Sequence, residues 1–432
     1  MSRDGVPEVS VIIPALNEGA SIGELVARVR AQLVGLGVPL EVLVVDGGST
    51  DETVRSASDA GARVVSQGGK GYADALRTGF QSARGRFLVT MDADYSHDPD
   101  FLGTLWRARH QAPVVIASRY VPGGYAAMPL TRRLLSVILN GVSRSLLSVP
   151  VRDLSSGFRL YDRAVLKGIR TEASQFDVLI ELLVLIFSRG WGVAEVPFHY
   201  RPRFGGRSHV RLWRFAKAYA RTLVKLWTLR NSLKSADYDD RAFSSRILIQ
   251  RYWQRRRYTI VLDLLGRVQR VLDAGCGSSK ILEALPHAVG LDLNFAALRF
   301  RKRTNSALVN GDVRALPFRE EAFDAIICSE VLQQIRDDPR VFRELGRVLA
   351  KGGVLILGTP DYGCWQWRWI EWWYTRLLPD AHGRLHVERY TAGSLAARLS
   401  EHGFVILECR YICGAELILR CKKQGAVAGV PA

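Results

Sequence analysis

Asp92 and Asp94 stand one residue apart at the end of an apolar run, Phe87-Leu88-Val89-Thr90-Met91. Paired carboxylates at a strand end can share a hard divalent cation such as Mg2+ or Mn2+. Such a cation needs only one or two carboxylates when substrate phosphates and water supply its other oxygens. Held there, it offsets the charge that builds on a departing diphosphate. A second signature lies far along the chain, where Val271-Leu272-Asp273 runs into Ala274-Gly275-Cys276-Gly277. Glycines after a strand let backbone approach a ligand where a Cβ would collide. The next apolar strand ends at Asp292, at about the spacing that places a carboxylate on ribose hydroxyls. The two signatures imply two nucleotide-cofactor sites of different kinds on one chain.

The elements that must position these residues alternate. Val9–Ile13, Glu41–Val45 and Arg86–Met91 read as strands, and Ile22, Leu25, Val26 and Val29 recur at helical spacing. Ala73–Ala83 reads as a helix. A second alternation starts at Arg270, with strands at Val271–Asp273, Ala288–Asp292, Ala325–Cys328 and Val354–Leu357. Strand–helix alternation predicts an α/β fold with two mostly parallel, Rossmann-like sheets covered by helices. Ligands then sit at the carboxyl ends of the strands, where Asp46 and Asp92 fall. A chain of 432 residues fits two domains. The boundary is placed near Ala236, giving domains of residues 1–235 and 236–425 and a flexible tail at 426–432. The polar stretch Ser235–Arg257 is expected to be helical.

Composition bounds the partners. Hydrophobic content of 48% and charged content of 24% provide for two cores. The start lacks the basic-then-apolar pattern of a secretion signal. Six cysteines without a CxxC pair, two of them (Cys276 and Cys328) in apolar runs, point to buried thiols and a reducing cytoplasm rather than disulfides. The longest apolar candidate for a membrane span, Val178–Phe187, is too short and contains Glu181. The net charge is +18, and Arg201–Arg257 alone carries sixteen Arg and Lys against three Asp. So local a basic excess implies an anionic partner. In Arg211–Leu229, Leu212, Phe215, Tyr219, Leu223 and Leu226 fall on one helix face, and Arg211, Arg214, Lys217, Arg221 and Lys225 on the other. A second segment, Leu134–Leu146, stacks Leu134, Leu135, Ile138, Leu139, Val142 and Leu146. Each reads either as a helix lying on an anionic membrane surface or as a core helix with a solvated face. The basic stretch lacks a nucleic-acid reading motif, so no nucleic acid is expected, and a basic nucleic-acid-binding protein stands as the non-enzyme alternative.

Seven blocks lie in order along the first half. They are Val11-Ile12-Ile13-Pro14-Ala15-Leu16-Asn17-Glu18, Val44-Val45-Asp46-Gly47-Gly48-Ser49-Thr50-Asp51, Gly69-Lys70-Gly71, Met91-Asp92-Ala93-Asp94-Tyr95-Ser96-His97, Ala117-Ser118-Arg119-Tyr120, Asp153-Leu154-Ser155-Ser156-Gly157-Phe158-Arg159 and Arg203-Phe204-Gly205-Gly206-Arg207-Ser208-His209. Together they resemble glycosyltransferase family 2, in its dolichyl-phosphate mannosyltransferase (polyprenyl-phosphate glycosyltransferase) branch, over about Pro7 to Ser232. The resemblance implies a GT-A-type sheet and transfer of a sugar from a GDP- or UDP-linked donor to polyprenyl phosphate, with inversion at the sugar carbon. By the same likeness Pro14, Glu18, Asp46 and Lys70 hold the donor nucleotide, and Asp92, Asp94 and Ser96 the metal. Arg119, Arg133, Arg203 and Ser208 face the phosphates. Asp153 is the candidate base, although a phosphate acceptor is already an anion and can attack without one. Gly47 stands where the family often has a second aspartate, and His209 where it often has lysine.

The second half carries Gly311-Asp312-Val313-Arg314-Ala315-Leu316-Pro317-Phe318, Ala322-Phe323-Asp324-Ala325-Ile326, Glu330-Val331-Leu332 and Arg347-Val348-Leu349-Ala350-Lys351-Gly352-Gly353. With the glycine turn, these resemble the class I S-adenosylmethionine-dependent methyltransferases over about Tyr238 to Cys421. The likeness implies that Asp273, Gly275 and Gly277 line the methionine end of S-adenosylmethionine, Asp292 its ribose and Asp312 its adenine. Ser279 replaces a frequent third glycine. Gln334 replaces a frequent histidine, which removes a base at that position. His382 and His386 are expected to be structural, and Trp365, Trp367, Trp369, Trp372 and Trp373 to pack, with a lid or lipid-contact role as the alternative. The expected protein is therefore a bifunctional enzyme, peripheral on the cytoplasmic face of a membrane. In the alternative, the second domain is a cofactor-binding regulator of an active glycosyltransferase.

Overall fold

The computed structural model describes residues 6–201, 212–302, 307–377 and 386–424. Arg203, Ser208, His209, Arg211 and His382 lie outside the described residues, as does the tail beyond Gln424. The chain forms two compact units. One takes the chain up to Phe187 with Trp191–Trp227, and the other takes Ser188–Gly190 with Thr228 onward. Both are α/β.

The first unit contains β1 (Val9–Ala15), β2 (Leu40–Asp46), β3 (Arg63–Ser66), β4 (Phe87–Thr90), β5 (Val114–Ser118), β7 (Arg159–Asp162) and β8 (Val193–Pro197) in one sheet, ordered β3-β2-β1-β4-β7-β5-β8. A small ribbon pairs β6 (Tyr125–Ala126) with β9 (His199–Tyr200). The central strands are apolar on both faces because helices cover both. Val11 and Ile13 pack on Leu25, Val26 and Val29 of the helix Ile22–Gly35. Ile12 points the other way, toward Ala75 of the helix Tyr72–Ser82. That second helix lies so close that a Cβ at Gly79 would stand 2.3 Å from Ile12. The sheet is mixed rather than parallel: β7 runs antiparallel between β4 and β5. Its four residues carry no signal of direction in the sequence. Its position matters, because it brings the loop Asp153–Phe158 back beside Asp92.

The second unit orders its strands β12-β11-β10-β13-β14-β16-β15. These are β10 (Val271–Ala274), β11 (Val289–Asp292), β12 (Ala307–Asn310), β13 (Phe323–Ser329), β14 (Leu349–Pro360), β15 (Phe404–Ile412) and β16 (Glu416–Lys423). The first five are parallel and β16 is antiparallel to both its neighbours. Val341, Phe342, Leu345 and Val348 cover one face with Leu395 and Leu399, while Ile260, Val261 and Leu264 cover the other. The Ser235–Arg257 stretch forms two helices, Tyr238–Phe243 and Leu248–Leu265.

Two helices of the first unit decide what its surface is. Val178–Ser188 is a core helix, and its one acid, Glu181, is buried while accepting the backbone N–H groups of Glu172 and Ala173. Leu130–Leu147 is inverted. Ser136, Asn140 and Ser143 face the unit, whereas Leu130, Leu134, Leu135, Val137, Ile138, Val142 and Leu146 are 41–80% exposed. The inward polar groups are satisfied. Asn140 donates to Ser136 O and Ser155 Oγ and accepts from Leu154 N. Ser143 shares a 3.0 Å hydrogen bond with Tyr219. The helix Leu212–Arg230 does the opposite: Tyr219 and Leu226 are buried, Thr222 donates to Asp177, and Lys225 pairs with Glu172 and Glu181. Of the two segments read as either lipid-surface or core helices, Leu130–Leu147 presents its apolar face outward, whereas Leu212–Arg230 buries Tyr219 and Leu226; the side chains of Leu212, Arg214 and Phe215 lie outside the described residues. No described helix is long and apolar enough to cross a membrane.

This inversion predicts an unusual mutational pattern. Leu134→Gln and Ile138→Gln should each change stability by no more than about 0.5 kcal/mol. Asn140→Ala should cost about 1–3 kcal/mol by stranding buried partners. Urea unfolding of the three variants checks both.

Candidate functional site

Four strand ends of the first unit, those of β1, β2, β4 and β5, supply the site. β2 ends at Asp46, whose carboxylate accepts Gly48 N and Ser49 N at 3.1 Å each. β1 ends beside it, Pro14 opposite Val45 and Ala15 opposite Asp46. The loops that follow are laced together: Asn17 Oδ1 accepts Thr50 N, Glu18 N donates to Thr53 Oγ1, and Gly19 N donates to Asp51. Asn17 holds φ at 56°, a left-handed conformation that asparagine tolerates better than most residues. Pro14, Glu18 and Asp46 therefore line one rim. Lys70 is exposed on the glycine loop before Tyr72, its backbone N bound to Asp74.

β4 delivers Asp92 and Asp94. Ser96, fully buried, aims its hydroxyl at Asp94 Oδ1 (2.5 Å) and so orients that carboxylate. His97 was only a member of a quoted block in the sequence, and the structure gives it a position. Its Nδ1 accepts Asp92 N at 2.9 Å, which leaves its proton on Nε2, 3.8 Å from Asp92 Oδ2. Burial lowers its pKa despite Asp92, so the ring is neutral and buttresses the carboxylate. Gly157 fits beneath them because a Cβ there would stand 2.8 Å from Tyr72 OH and 3.5 Å from Asp92 Oδ1. Among the described residues no third His, Cys, Asp or Glu joins the pair to form a closed cage. An open pair fits a cation that keeps water and phosphate oxygens as ligands.

β5 delivers Arg119. Its Nε and Nη2 grip Asp153 at 2.8 and 2.7 Å, and Nη2 also donates to Ser155 Oγ at 2.7 Å. Asp153 is fully buried and further accepts Arg119 N and Ser156 N. Burial alone would raise its pKa, but Arg119 and these donors outweigh burial and the net shift is downward. A carboxylate so occupied has little lone-pair capacity left for a proton. The structure therefore places Asp153 as the anchor of Arg119. Arg119 keeps Nη1, the arm that neither Asp153 nor Ser155 takes, and its guanidinium lies 5.5 Å from the Tyr200 ring. Arg133 is exposed on the inverted helix, 5.7 Å from the Tyr125 ring.

In the second unit the glycine turn wraps the end of β11. Gly275 N donates to Leu291 O (2.7 Å) and Gly277 N to Asp292 Oδ2 (2.7 Å). Gly275 has φ 86°, and a Cβ there would strike Val331 at 2.1 Å. Gly277 has φ 48°, and a Cβ would stand 2.7 Å from Asp239. The turn borders a cavity of about 570 Å3 lined by Asp239, Arg257, Asp273, Asp292, Asp312 and Glu330 among others, a fitting size for a nucleotide-like cofactor. Asp312 is paired with Arg314. Sequence reasoning missed Asp239, whose N donates to Ser278 Oγ, and Arg257, which is bidentate on Glu416 at 2.6 and 2.7 Å. Both precede the first glycine motif, and only the fold brings them there. His386 is buried, its pKa lowered to about 4 by burial and Arg389, with Nδ1 2.8 Å from Tyr362 OH. Trp367 is buried as expected, but Trp365, Trp369, Trp372 and Trp373 are exposed.

The sequence matches the family model described as glycosyl transferase family 2 over residues 10–170 and one described as a methyltransferase domain over residues 272–357. The polyprenol monophosphomannose synthase of Mycolicibacterium smegmatis is 33% identical over 241 residues, covering 52% of this chain and 89% of that protein. The chain belongs to glycosyltransferase family 2. A dolichol-phosphate mannosyltransferase of Pyrococcus furiosus is also 33% identical, over 215 residues, 47% of this chain and 59% of that protein's own length. A solved glucosyl-3-phosphoglycerate synthase from Mycobacterium tuberculosis, in complex with Mn2+ and UDP, is 26% identical over 51% of this chain and 80% of that one, with a TM-score of 0.42. Both family models describe transferases, and this family 2 chain carries a methyltransferase domain beyond its glycosyltransferase domain.

Burial raises Asp239, Asp273, Asp292 and Glu330 around the second cavity, whereas Arg314 holds Asp312 below the usual carboxylate range. Asp273 is raised to about 7, first by burial and then by Asp292, and its Oδ2 accepts no hydrogen bond among the described residues. The sign follows from linkage: with a folded pKa above the unfolded 3.8, stability is full below 3.8 and is lost as pH rises to about 7. Asp273→Asn should remove that loss and stabilise the second unit at pH 8 by at most about 4 kcal/mol, at 1.36 kcal/mol per unit. Thermal unfolding of both proteins between pH 4 and 8 checks it.

Proposed function

We propose that the first unit transfers a sugar from a GDP- or UDP-linked donor to polyprenyl phosphate at the cytoplasmic face of a membrane, and that the second transfers a methyl group from S-adenosylmethionine. The observation that carries the first reading is the linkage from Arg119 to the inverted helix. Asp153 holds Arg119, the Asp153–Ser156 loop is bonded to Asn140, and Tyr120 OH donates to Ser136 Oγ at 2.7 Å. One helix thus braces, on its inner side, the loop that holds Arg119, and offers apolar side chains on its outer side. Arg132, Arg133 and Arg144 are exposed on the same helix. That is the arrangement a phosphate with a long apolar tail requires: a cation for the head and a lipid surface for the tail.

Pro14, Glu18, Asp46 and Lys70 line the donor's nucleotide in this reading. Asp92 and Asp94 would hold Mg2+ or Mn2+, whose positive charge offsets that of the nucleoside diphosphate as it leaves. Arg119 and Arg133 gather the acceptor phosphate, with Arg203 and Ser208 joining them by the family likeness. The acceptor is an anion already, so positioning and charge replace a general base. In the second unit Asp292 faces the ribose, Asp312 the adenine and the Asp273–Gly277 turn the methionine end. The bound cofactor supplies an electrophilic methyl group, and the chain's own glycines supply the close approach.

Purified protein with nucleotide sugars, polyprenyl phosphate and Mg2+ should yield a glycolipid seen by mass spectrometry. Asp92→Ala with Asp94→Ala should lower the rate by at least about 100-fold, as loss of a charge-stabilising centre does. Unchanged yield in that variant, or indifference to a chelator, rejects the reading. Isothermal titration should show S-adenosylmethionine binding that Asp292→Ala weakens about tenfold. Binding without methyl turnover would identify the second unit as a regulator.

A further inference from the structure

The second unit carries an exposed indole face that its cofactor cavity does not use. In the helix Trp365–Leu377, Trp365, Trp369, Trp372 and Trp373 are 68, 60, 47 and 43% exposed. At 100° per residue the four fall within an arc of about 100°. Three of the rings touch: Trp372 meets Trp373 edge-on at 5.1 Å and Trp369 meets Trp373 at 6.1 Å, with Trp365 one turn before Trp369. Arg376 lies 3.7 Å over the Trp372 ring, and Arg368 is exposed beside them. Single exposed apolar residues are ordinary on a protein surface, but four exposed indoles on one helix face, three of them in ring contact, are not.

A second apolar patch lies at the start of the helix Leu248–Leu265. Ile247, Leu248, Ile249 and Tyr252 are all exposed there. They are interleaved with Arg246, Arg251, Arg255 and Arg256, and Arg246–Arg257 contains five arginines and no acid. Both patches are tied to one turn, between β15 and β16. Trp253 and Arg257 bond Glu416, and Asp361 N, just before the tryptophan helix, donates to Ala415 O at 2.9 Å. That turn sits where β14 ends, at the carboxyl end of the parallel strands. Gln254 and Arg257, one turn beyond Tyr252, line the cavity itself.

We infer that the second unit docks on an anionic bilayer through this indole face and the arginine-rich start of the Leu248–Leu265 helix, with the cofactor cavity at the docked end. Tryptophan concentrates at the lipid headgroup level, where one end of its ring is apolar and the other wet. Arginines interleaved with apolar side chains add attraction to anionic headgroups. A second copy docked on the same face would set arginine against arginine, which disfavours self-association. The inference is independent of the glycosyl-transfer reading.

The test uses the full chain with Leu134→Gln, Ile138→Gln and Val142→Gln, which removes the lipid contact proposed for the first unit. This protein should still float with phosphatidylglycerol/phosphatidylcholine vesicles at low salt, and brominated acyl chains should quench its tryptophan emission. Adding Trp365→Ser, Trp369→Ser, Trp372→Ser and Trp373→Ser should weaken binding at least tenfold and abolish that quenching. Absence of quenching in the parent, or vesicle affinity within twofold between the two proteins, overturns the inference. So does a parent that sediments as a dimer which the four serines convert to monomer, since a second copy would then cover the face. The quenching measurement keeps every tryptophan in place, so it decides even if the serine variant does not fold.

Discussion

A buried ion pair, Arg119 with Asp153, fixes the geometry of the first unit's site. Either charge alone would be costly at that depth, and together they are stable only because the pairing is bidentate and backbone N–H groups fill the remaining lone pairs. The pair therefore specifies more than it stabilises. It fastens the end of β5 to the loop before β7, and β7 in turn lies against β4, which carries the two aspartates. Moving Arg119 would mean moving three strands. A guanidinium constrained in this way acts as a preorganised positive charge and loses little freedom when an anion arrives.

The inverted helix follows from the same constraint. Leu130–Leu147 holds more apolar than polar side chains, and hydrophobic burial alone would turn its leucines inward. The loops it must cover, Arg119–Tyr120 and Asp153–Ser156, expose groups that need partners once water is excluded. Ser136 and Asn140 supply those partners. The apolar residues are left outside as a consequence of satisfying the site, and a lipid surface is the medium in which that orientation is favourable.

Much of this was legible in the sequence, for identifiable reasons. Strands such as Val9–Ala15 and Val271–Ala274 announce themselves by β-branched runs, and Asp46, Asp92 and Asp292 fall at their ends because parallel sheets place ligands there. Gly275 and Gly277 could be read because glycines that follow an apolar strand mark a close backbone approach, and a Cβ at either position would crowd Val331 or Asp239. Direction and facing were not legible. The antiparallel course of β7 depends on which neighbours remain unpaired. Helical periodicity gives a stripe without saying whether the stripe looks in or out, so Leu134 and Leu226 read alike and ended on opposite sides. Asp239 and Arg257 lie outside every motif and reach the cavity only through the helices that precede β10. The partners of Asp153 and the exposure of Trp365, Trp369, Trp372 and Trp373 were hidden for a similar reason, because type and spacing do not report what a side chain's neighbours have already taken.

The two sites make opposite electrostatic demands. The first is organised about Arg119, whose positive charge is kept by its partner and suits anions. Around the second cavity the carboxylates are crowded. Burial, followed by mutual repulsion that Arg257 only partly offsets, raises Glu330 to about 8, and burial raises Asp239 as well. Glu330 also holds a strained φ of 62° at the cavity wall. Arg257 is committed to Glu416, so it relieves the crowding only in part. Acids in this condition gain most from a ligand that brings positive charge, because such a ligand restores the ionised form that burial suppresses. S-adenosylmethionine carries positive charge at its sulfonium and its ammonium, whereas a dinucleotide brings phosphates. The same glycine turn serves both ligand classes in other proteins, so in the proposed reading the surrounding acids, more than the glycines, would make the discrimination.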